Sequence, residues 1–226
     1  MKRITVLLAD DHTIVREGFR KMLELEDDLE VVGEAQDGRR AVALAITLRP
    51  VVVLMDIGMP LLNGLEATRQ LLKALPATKV IILSAHADRE YVINATESGA
   101  VGFLVKQNSA GGDLCRAIRE IQRGNTFFNL SISKRLDYLK SQSPDGDKPL
   151  NQKTAQLTSR ETEVLQLIAE GYVNREAAVE LGIASKTVEK HRWHLMRKLG
   201  IHDIAGLTRY AIRAGIIESS VQLTIV

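Results

Sequence analysis

Over its first 125 residues the chain alternates short apolar runs with longer segments in which apolar residues recur every three or four positions. An unbroken apolar run is typical of a strand buried on both faces of a parallel sheet, and the longer period indicates a helix packed on one side. This alternation predicts an α/β fold: a flavodoxin-like, doubly wound, five-stranded parallel sheet. The predicted strands are 4–9, 31–35, 51–55, 79–83 and 100–105, and the predicted helices are Thr13–Leu25, Arg39–Leu48, Leu65–Leu75, Asp88–Ser98 and Asp113–Arg123.

Beyond residue 125 the pattern changes. Residues 140–156 are rich in Ser, Pro, Gly and charge and poor in large apolar side chains, which is typical of a flexible linker. From Leu157 only helical periodicity follows, and a glycine stands after each segment, where helices commonly end. The four predicted helices are Ser159–Glu170, Asn174–Leu181, Lys186–Leu199 and Ile204–Ala214. We therefore predict an α/β domain at 1–125, a linker at 126–156 and an all-α domain at 157–226.

Composition and charge add little to this prediction of two domains. A length of 226 residues suits two modest domains, and the net charge of +2 identifies no partner. Residues 1–129 carry 16 basic against 17 acidic side chains and the remainder 14 against 11, a weak indication that any polyanion binds the C-terminal half. The lone Cys115 excludes an intramolecular disulfide and a multi-cysteine metal site. The first apolar run is too short for a signal peptide and no run is long enough to cross a membrane, so we expect a cytoplasmic protein.

Polar side chains stand where the predicted strands end. Asp10 and Asp11 follow the first strand, Asp56 the third, Ser84 the fourth and Lys106 the fifth. The carboxyl ends of parallel strands share one edge, so these side chains are expected to meet there. Three close carboxylates repel one another unless a cation joins them, and oxygen ligands suit Mg²⁺. Each residue also has an ordinary interpretation, as a helix cap or a solvated strand end.

Four segments, "LLADDH", "VVVLMDIGMPLLNGLEA", "LSAH" and "GFLVK", resemble the receiver domain of bacterial two-component response regulators over about residues 3–125. The resemblance implies that Asp56 accepts a phosphoryl group from a phosphohistidine on a sensor histidine kinase. It further implies that Mg²⁺ is held by Asp10, Asp11, Asp56 and the backbone carbonyl of Gly58, and that Lys106 pairs with the phosphoryl oxygens. Ser84 would then bind the acyl phosphate, and Phe103 would either follow that movement as a switch or remain a plain core residue.

The C-terminal half contains a short helix, a turn with Gly182, and a basic amphipathic helix, which is the layout of a helix-turn-helix; a small bundle with solvated charges is the alternative. The segments "LTSRETEVLQLIAEG", "KTVEKHR" and "MRKLGI" resemble the LuxR-type DNA-binding domain of the NarL/FixJ group over about 155–217. The resemblance makes Lys186–Leu199 the recognition helix in the major groove. Lys186, Thr187 and Arg192 are the candidates for phosphate contacts, and Glu189, Lys190 and Trp193 for base edges. The alternative for Trp193 is packing or partial exposure without a base contact, and the alternative for Glu189 is that it contributes nothing to DNA binding.

Four residues at three places depart from the family pattern. Ala184 stands where the family usually has a serine that caps the recognition helix, so Ser185 is expected to cap it or the end to fray. Ala177 replaces a larger apolar residue, which would thin the packing of Asn174–Leu181, the scaffold helix by the same resemblance. Gly111 and Gly112 open the last receiver helix, which the family often uses to dimerise. These departures bear on DNA affinity and dimer mode more than on the fold.

The leading hypothesis is a phosphorylation-dependent regulator of transcription that binds double-stranded promoter DNA. Without phosphate, the receiver either masks the recognition helix or keeps the chain monomeric; phosphorylated Asp56 shifts the balance towards a homodimer, with Ile204–Ala214 as a candidate dimer helix. Two other hypotheses are a Mg²⁺-dependent phosphohydrolase, which needs a second acid–base residue such as His86, and a DNA-binding module that no longer responds to phosphorylation. We expect no enzymatic turnover beyond slow self-dephosphorylation.

Overall fold

The computed structural model describes residues 3–85, 89–108, 111–128 and 157–217. Its N-terminal part is a parallel sheet in the order β2-β1-β3-β4-β5-β6. The strands are β1 (Ile4–Ala9), β2 (Leu29–Ala35), β3 (Val52–Asp56), β4 (Lys79–Ser84), β5 (Gly102–Val105) and β6 (Phe127–Phe128). The helices are α1 (Thr13–Glu24), α2 (Gly38–Leu48), α3 (Gly64–Ala74), α4 (Arg89–Glu97) and α5 (Gly111–Gln122).

Two apolar layers cover the sheet, one on each face. Phe19 and Leu23 of α1 pack with Leu114 and Ile118 of α5 against one face. Helices α2, α3 and α4 pack against the other face, for example through Leu71. β3 is buried along its whole length, as its unbroken apolar run predicted. The doubly wound parallel fold is therefore confirmed.

The sheet has six strands, not the predicted five. Phe127 pairs with Gly102 of β5, and its N–H donates to the carbonyl of Val101 at 2.9 Å. The Arg116 guanidinium lies 5.5 Å from the centre of the Phe127 ring, which adds a cation–π contact. A two-residue strand has no periodicity, so the sequence pattern could not show it. It lies inside the predicted linker, and residues 129–156 of that linker lie outside the described residues.

The C-terminal part contains α6 (Ser159–Ala169), α7 (Asn174–Leu181), α8 (Ser185–Leu199) and α9 (Ile204–Arg213). Their apolar faces form a separate core, which includes Leu165, Leu167, Leu195 and Leu207. Ala177 is fully buried in it. No helix in the described ranges is long and apolar enough to cross a membrane.

The start of α8 differs from the expectation for its cap. The helix begins at Ser185, so Ser185 is its first residue and Ala184 occupies the cap position without a side-chain hydrogen bond. The Ala184 carbonyl still accepts from the N–H groups of Thr187 and Val188, at 2.8 and 3.2 Å. The first turn is thus formed by backbone contacts, and Ser185 does not serve as the cap.

Candidate functional site

The carboxyl edge of the sheet carries an acidic cluster. Asp10 and Asp11 follow β1 and Asp56 ends β3; Asp10 is 1% exposed and Asp56 2%. One ligand atom from each of Asp10, Asp11, Asp56 and His12 can be chosen so that all lie within 4.8 Å of one another. The predicted meeting of the three aspartates is therefore observed. His12 was not predicted, although its position directly after Asp11 places it at the same edge.

Lys106 reaches into this cluster from the end of β5. Its Nζ lies 2.8 Å from Asp10 Oδ2 and 2.8 Å from Asp56 Oδ1. Burial alone would lower the pKa of Lys106, but attraction to Asp56 and hydrogen bonds to both carboxylates outweigh it and leave the pKa above its ordinary value. The ammonium is therefore charged at neutral pH and compensates part of the negative charge of the cluster.

The backbone around Asp56 explains why glycine follows at position 64. A Cβ on Gly64 would stand 1.8 Å from the Asp56 carbonyl oxygen and 3.0 Å from Met55 Cγ. The Gly64 N–H donates to the Ile57 carbonyl at 2.9 Å. Asn63 caps α3, since its side-chain oxygen accepts from the N–H of Glu66 at 2.9 Å. The start of α3 is thus seated directly on the end of β3, which holds the Asp56 backbone in place.

Asp10 is held by its own loop. Its Oδ1 accepts from the N–H of His12 at 2.9 Å, and its carbonyl accepts from Arg16 Nη1 at 2.7 Å. The alternative that Asp10 caps α1 is not what the structure shows, because the cap position is His12 and no side chain there bonds to the first turn. The buried Asp10 carboxylate faces Lys106 and Asp56 instead.

The remaining predicted receiver residues lie nearby in the fold. Ser84 is fully buried at the end of β4, one strand away from Asp56, and Gly58 is partly exposed two residues beyond Asp56. Phe103 is fully buried and packs within the layer beneath α4. The structure therefore shows Phe103 as a core residue, while its switch role stays a prediction. His86, the acid–base candidate of the phosphohydrolase hypothesis, lies outside the described residues.

The recognition helix α8 presents its predicted DNA-contact residues mostly to solvent. Lys186, Glu189 and Lys190 are exposed, Thr187 and Arg192 are half-buried, and Trp193 is 54% exposed. The opposite side of α8 is buried through Val188 and Leu195. Trp193 therefore does not pack in the core; the guanidinium of Arg197 lies 4.5 Å from the centre of its ring.

A buried carboxylate joins α8 to the beginning of α6. Glu161 Oε2 accepts from the N–H of Thr158 at 2.9 Å and from Lys198 Nζ at 2.6 Å. Burial acts to raise the pKa of Glu161, but the bonds from Lys198 and Thr158 outweigh it and lower the pKa below its ordinary value. This contact fixes the C-terminal end of α8 on the capping box of α6.

Within the described ranges the two parts of the chain are joined by hydrogen bonds from α6, and Gly215, which follows α9, lies beside Tyr91 of α4. Gln166, Glu163 and Glu170 of α6 bond to the segment that follows Asp56 and to α2 and α3. The structure therefore does not show the receiver masking the recognition helix, which was one of two predicted inactive arrangements. No sequence signal predicted this contact, except that Gln166 is the one polar residue in the apolar run "VLQLIA" of α6.

The chain thus joins a parallel α/β sheet, with a buried acidic cluster and a lysine at its carboxyl edge, to a helical domain with the layout of a helix-turn-helix. Comparison with known protein families identifies both parts of the chain. Residues 6–119 match the family described as response regulator receiver domain, and residues 155–211 match bacterial regulatory proteins, luxR family. The chain belongs to the two-component response regulators, with a LuxR-type DNA-binding domain, which confirms the resemblance to the NarL/FixJ group.

Individual relatives match over nearly the full length. Oxygen regulatory protein NreC of Staphylococcus carnosus is 35% identical over 216 residues, covering 94% of this chain and 99% of the relative. The RcsB response regulator of Salmonella typhimurium is 28% identical with a TM-score of 0.62, covering 95% and 99% of the two chains. A structure of two RcsB dimers bound to two parallel DNAs is also 28% identical, with a TM-score of 0.56 and coverage of 92% and 98%.

Proposed function

We propose that this chain is a regulator of transcription whose DNA binding is controlled by phosphorylation of Asp56, with a sensor histidine kinase as the phosphoryl donor. The observation that carries the proposal is the buried Asp56 carboxylate 2.8 Å from the Lys106 ammonium, within a cluster of three aspartates. The matches to a receiver domain and a luxR-type domain support the pairing of the two activities.

The donor set fits Mg²⁺. Asp10, Asp11 and Asp56 offer only oxygen ligands, and a single ammonium leaves the three carboxylates incompletely compensated. Hard divalent cations prefer such oxygen ligands. We propose that these three aspartates and the Gly58 carbonyl hold Mg²⁺, whose chemistry is to neutralise charge on the phosphoryl oxygens.

Side chains of this protein then account for transfer of the phosphoryl group from the kinase histidine to Asp56. An Asp56 carboxylate oxygen attacks the phosphorus, a P–O bond forms as the P–N bond to the kinase histidine breaks, and the imidazole keeps the electron pair. The Lys106 ammonium pairs with the phosphoryl oxygens, where charge accumulates in the transition state. The Ser84 hydroxyl donates to an oxygen of the acyl phosphate, and Phe103 repacks with it as the switch.

The DNA surface is the exposed side of α8. Lys186, Thr187 and Arg192 contact phosphates, and Glu189, Lys190 and Trp193 face base edges in the major groove. Phosphorylation favours a homodimer on two half-sites, with α9 as the candidate dimer helix. The exposure of Lys186, Glu189, Lys190 and Trp193 supports a surface that is available before phosphorylation, so that dimerisation, not unmasking, controls binding.

The remaining parts of the proposal follow from this role. The chain has a receiver at 1–125, a linker at 126–156 and a DNA-binding domain at 157–226, and it works in the cytoplasm, where promoter DNA and the kinase's phosphohistidine are accessible. It is not an enzyme with external turnover, and the phosphoryl group leaves Asp56 at most by slow hydrolysis.

Intact mass after incubation with acetyl phosphate and Mg²⁺ tests the receiver chemistry. Wild type should gain one phosphoryl group and Asp56→Asn none. A gain that survives in Asp56→Asn means that another residue is the acceptor, and no gain in wild type from acetyl phosphate or a kinase refutes the proposal.

DNA binding is tested by the salt dependence of affinity for promoter fragments in both phosphorylation states. The double variant Lys190→Ala and Arg192→Ala should bind more weakly and reduce the slope of log K against log salt by about 1 for each DNA phosphate that is no longer neutralised. The double variant Lys21→Ala and Lys73→Ala removes the same charge from exposed receiver positions and should retain the wild-type slope. Equal slopes in all three proteins contradict the assignment of α8.

A further inference from the structure

A buried glutamine amide lies between the two domains. Gln166 is fully buried in α6, although its neighbours Leu165 and Leu167 belong to an apolar core. Its oxygen accepts from the N–H of Asn63 at 2.7 Å and from Asn63 Nδ2 at 3.2 Å. Its nitrogen donates to the Met59 carbonyl at 3.0 Å and to Glu170 at 2.7 Å. All four hydrogen-bonding positions of the amide are used, and three of the four bonds go to the receiver.

The receiver groups that Gln166 holds are the loop that follows Asp56. The two ends of this loop are joined to each other by the bond from the Gly64 N–H to Ile57, and the Ile57 N–H donates to Leu83 of β4. Between those ends, the N–H of Asn63 and the carbonyl of Met59 bond to Gln166. The middle of the loop is therefore held from two sides: the side chains of Met59 and Leu62 are buried in the receiver core, and its backbone bonds to the DNA-binding domain.

The backbone conformation of Leu61, in the same loop, is also stabilised by contacts with the DNA-binding domain. Its backbone has φ 66°, a left-handed conformation that costs a non-glycine residue about 1 kcal/mol. Its N–H donates to Glu170 at 3.3 Å, and its side chain packs against the core of the DNA-binding domain. These contacts offset the conformational cost, so the loop keeps this shape while α6 is docked.

We propose that Gln166, a residue of the DNA-binding domain, is a positioning residue for the phosphoacceptor site of the receiver. By fixing Met59 and Asn63 it places Gly58, which stands between them and Asp56 and whose carbonyl is proposed to complete the Mg²⁺ site. The inference rests on the proposed function. Because coupling between two sites is reciprocal, Mg²⁺ at the acidic cluster strengthens docking of α6 by the same factor by which docking strengthens Mg²⁺ binding.

A matched pair of variants in the full-length chain tests this inference. Gln166→Met keeps the volume of the side chain and removes every hydrogen bond from that side chain to the loop. Gln70→Met makes the same chemical change at the same interface, but Gln70 bonds to Glu163 and Glu66 and not to the loop.

Two measurements are made on each protein: hydrogen exchange of the Asn63 amide without metal, and the Mg²⁺ dissociation constant from calorimetry. In Gln166→Met the Asn63 amide should exchange at least about tenfold faster, and Mg²⁺ should bind about tenfold more weakly, as is usual when a group that orients a metal ligand is removed. Gln70→Met should match wild type. Unchanged protection of Val53 and Leu54 in β3 verifies that each variant is folded.

The possible outcomes separate the inference from the proposed function. Faster exchange with unchanged Mg²⁺ affinity overturns the inference, since the loop is then held without affecting the site. Unchanged exchange also overturns it, and so does an equal effect of Gln70→Met, because any loss of docking would then suffice. A wild-type chain that neither binds Mg²⁺ nor gains a phosphoryl group refutes the proposed function itself.

Discussion

Replacing Asp11 by asparagine should change stability in opposite directions with and without Mg²⁺. The ligand atoms of Asp10, Asp11 and Asp56 lie within 4.8 Å of one another, and Lys106 is bonded to Asp10 and Asp56. Asp11 therefore adds repulsion that this ammonium does not directly compensate. Asp11→Asn removes that charge, and its amide oxygen can still accept from His12 Nδ1, which lies 2.7 Å from Asp11.

The magnitude follows from the geometry. Two unit charges 4.8 Å apart interact by about 3.5 kcal/mol at an effective dielectric constant of 20. The Asp11 side chain is 32% exposed and the charge of Lys106 opposes the repulsion, so we expect the gain to be reduced to about 1 kcal/mol. Mg²⁺ at 100 times its dissociation constant adds about 2.7 kcal/mol to wild type, and much less to a variant that lacks one of the ligands.

The assay is urea unfolding of the full chain, followed by far-UV circular dichroism in EDTA and in excess Mg²⁺. In EDTA, Asp11→Asn should be more stable than wild type by about 1 kcal/mol; in Mg²⁺, wild type should be more stable by roughly 1–2 kcal/mol. Asp27→Asn, which removes an exposed charge away from the cluster, should show neither effect. A variant less stable than wild type in EDTA, or stabilised equally by Mg²⁺, would refute the electrostatic reasoning.

Two further predictions concern a close backbone contact and a buried carboxylate. Gly64→Ala should lower the melting temperature and slow labelling by acetyl phosphate, because its Cβ would stand 1.8 Å from the Asp56 carbonyl oxygen. As a control, Gly18→Ala in the open middle of α1 should stabilise the chain by about 0.5–1 kcal/mol. Equal effects of the two substitutions in calorimetry would contradict the packing argument. Because the pKa of Glu161 is lowered, its stabilising contribution is present above about pH 4.5 and is lost as pH falls through the folded-state pKa. Unfolding followed by the fluorescence of the single tryptophan, Trp193, should show a loss of stability in acid that is smaller in Glu161→Gln than in wild type. Parallel pH profiles of the two proteins would exclude this role of Glu161.

Much of the receiver was predictable because its signals are local. The buried strands are continuous apolar runs that end at charged or polar residues, so β1 has its predicted bounds and β3 is displaced by a single residue. Val51, the first residue of the predicted third strand, is 36% exposed and precedes β3, because hydrophobicity alone does not mark where pairing begins. The meeting of Asp10 and Asp56 followed from topology, since parallel strands place their carboxyl ends at one edge.

What the sequence could not predict depends on partners that are distant in the chain. The strand β6 exists because Phe127 pairs with Gly102, and two residues carry no period. Gln166 stands in an otherwise apolar run, and only the docked loop shows why an amide is accommodated there. The cap of α8 was misjudged by one residue because helix ends are determined by backbone geometry, which composition does not specify.

Asn63 connects the chemistry of the receiver to the DNA-binding domain through two roles. It caps α3, which is seated on the Asp56 backbone, and it donates two hydrogen bonds to Gln166. If phosphorylation of Asp56 moves this loop, as we propose, the movement must either carry α6 with it or break those bonds, at a net cost of about 1 kcal/mol each. Breaking two of them shifts the equilibrium between docked and separated domains by roughly 30-fold, since 1.4 kcal/mol corresponds to a factor of ten. A displacement of this loop is therefore expected to weaken docking of the DNA-binding domain by this factor, while the face of α8 proposed to bind DNA is exposed in either arrangement.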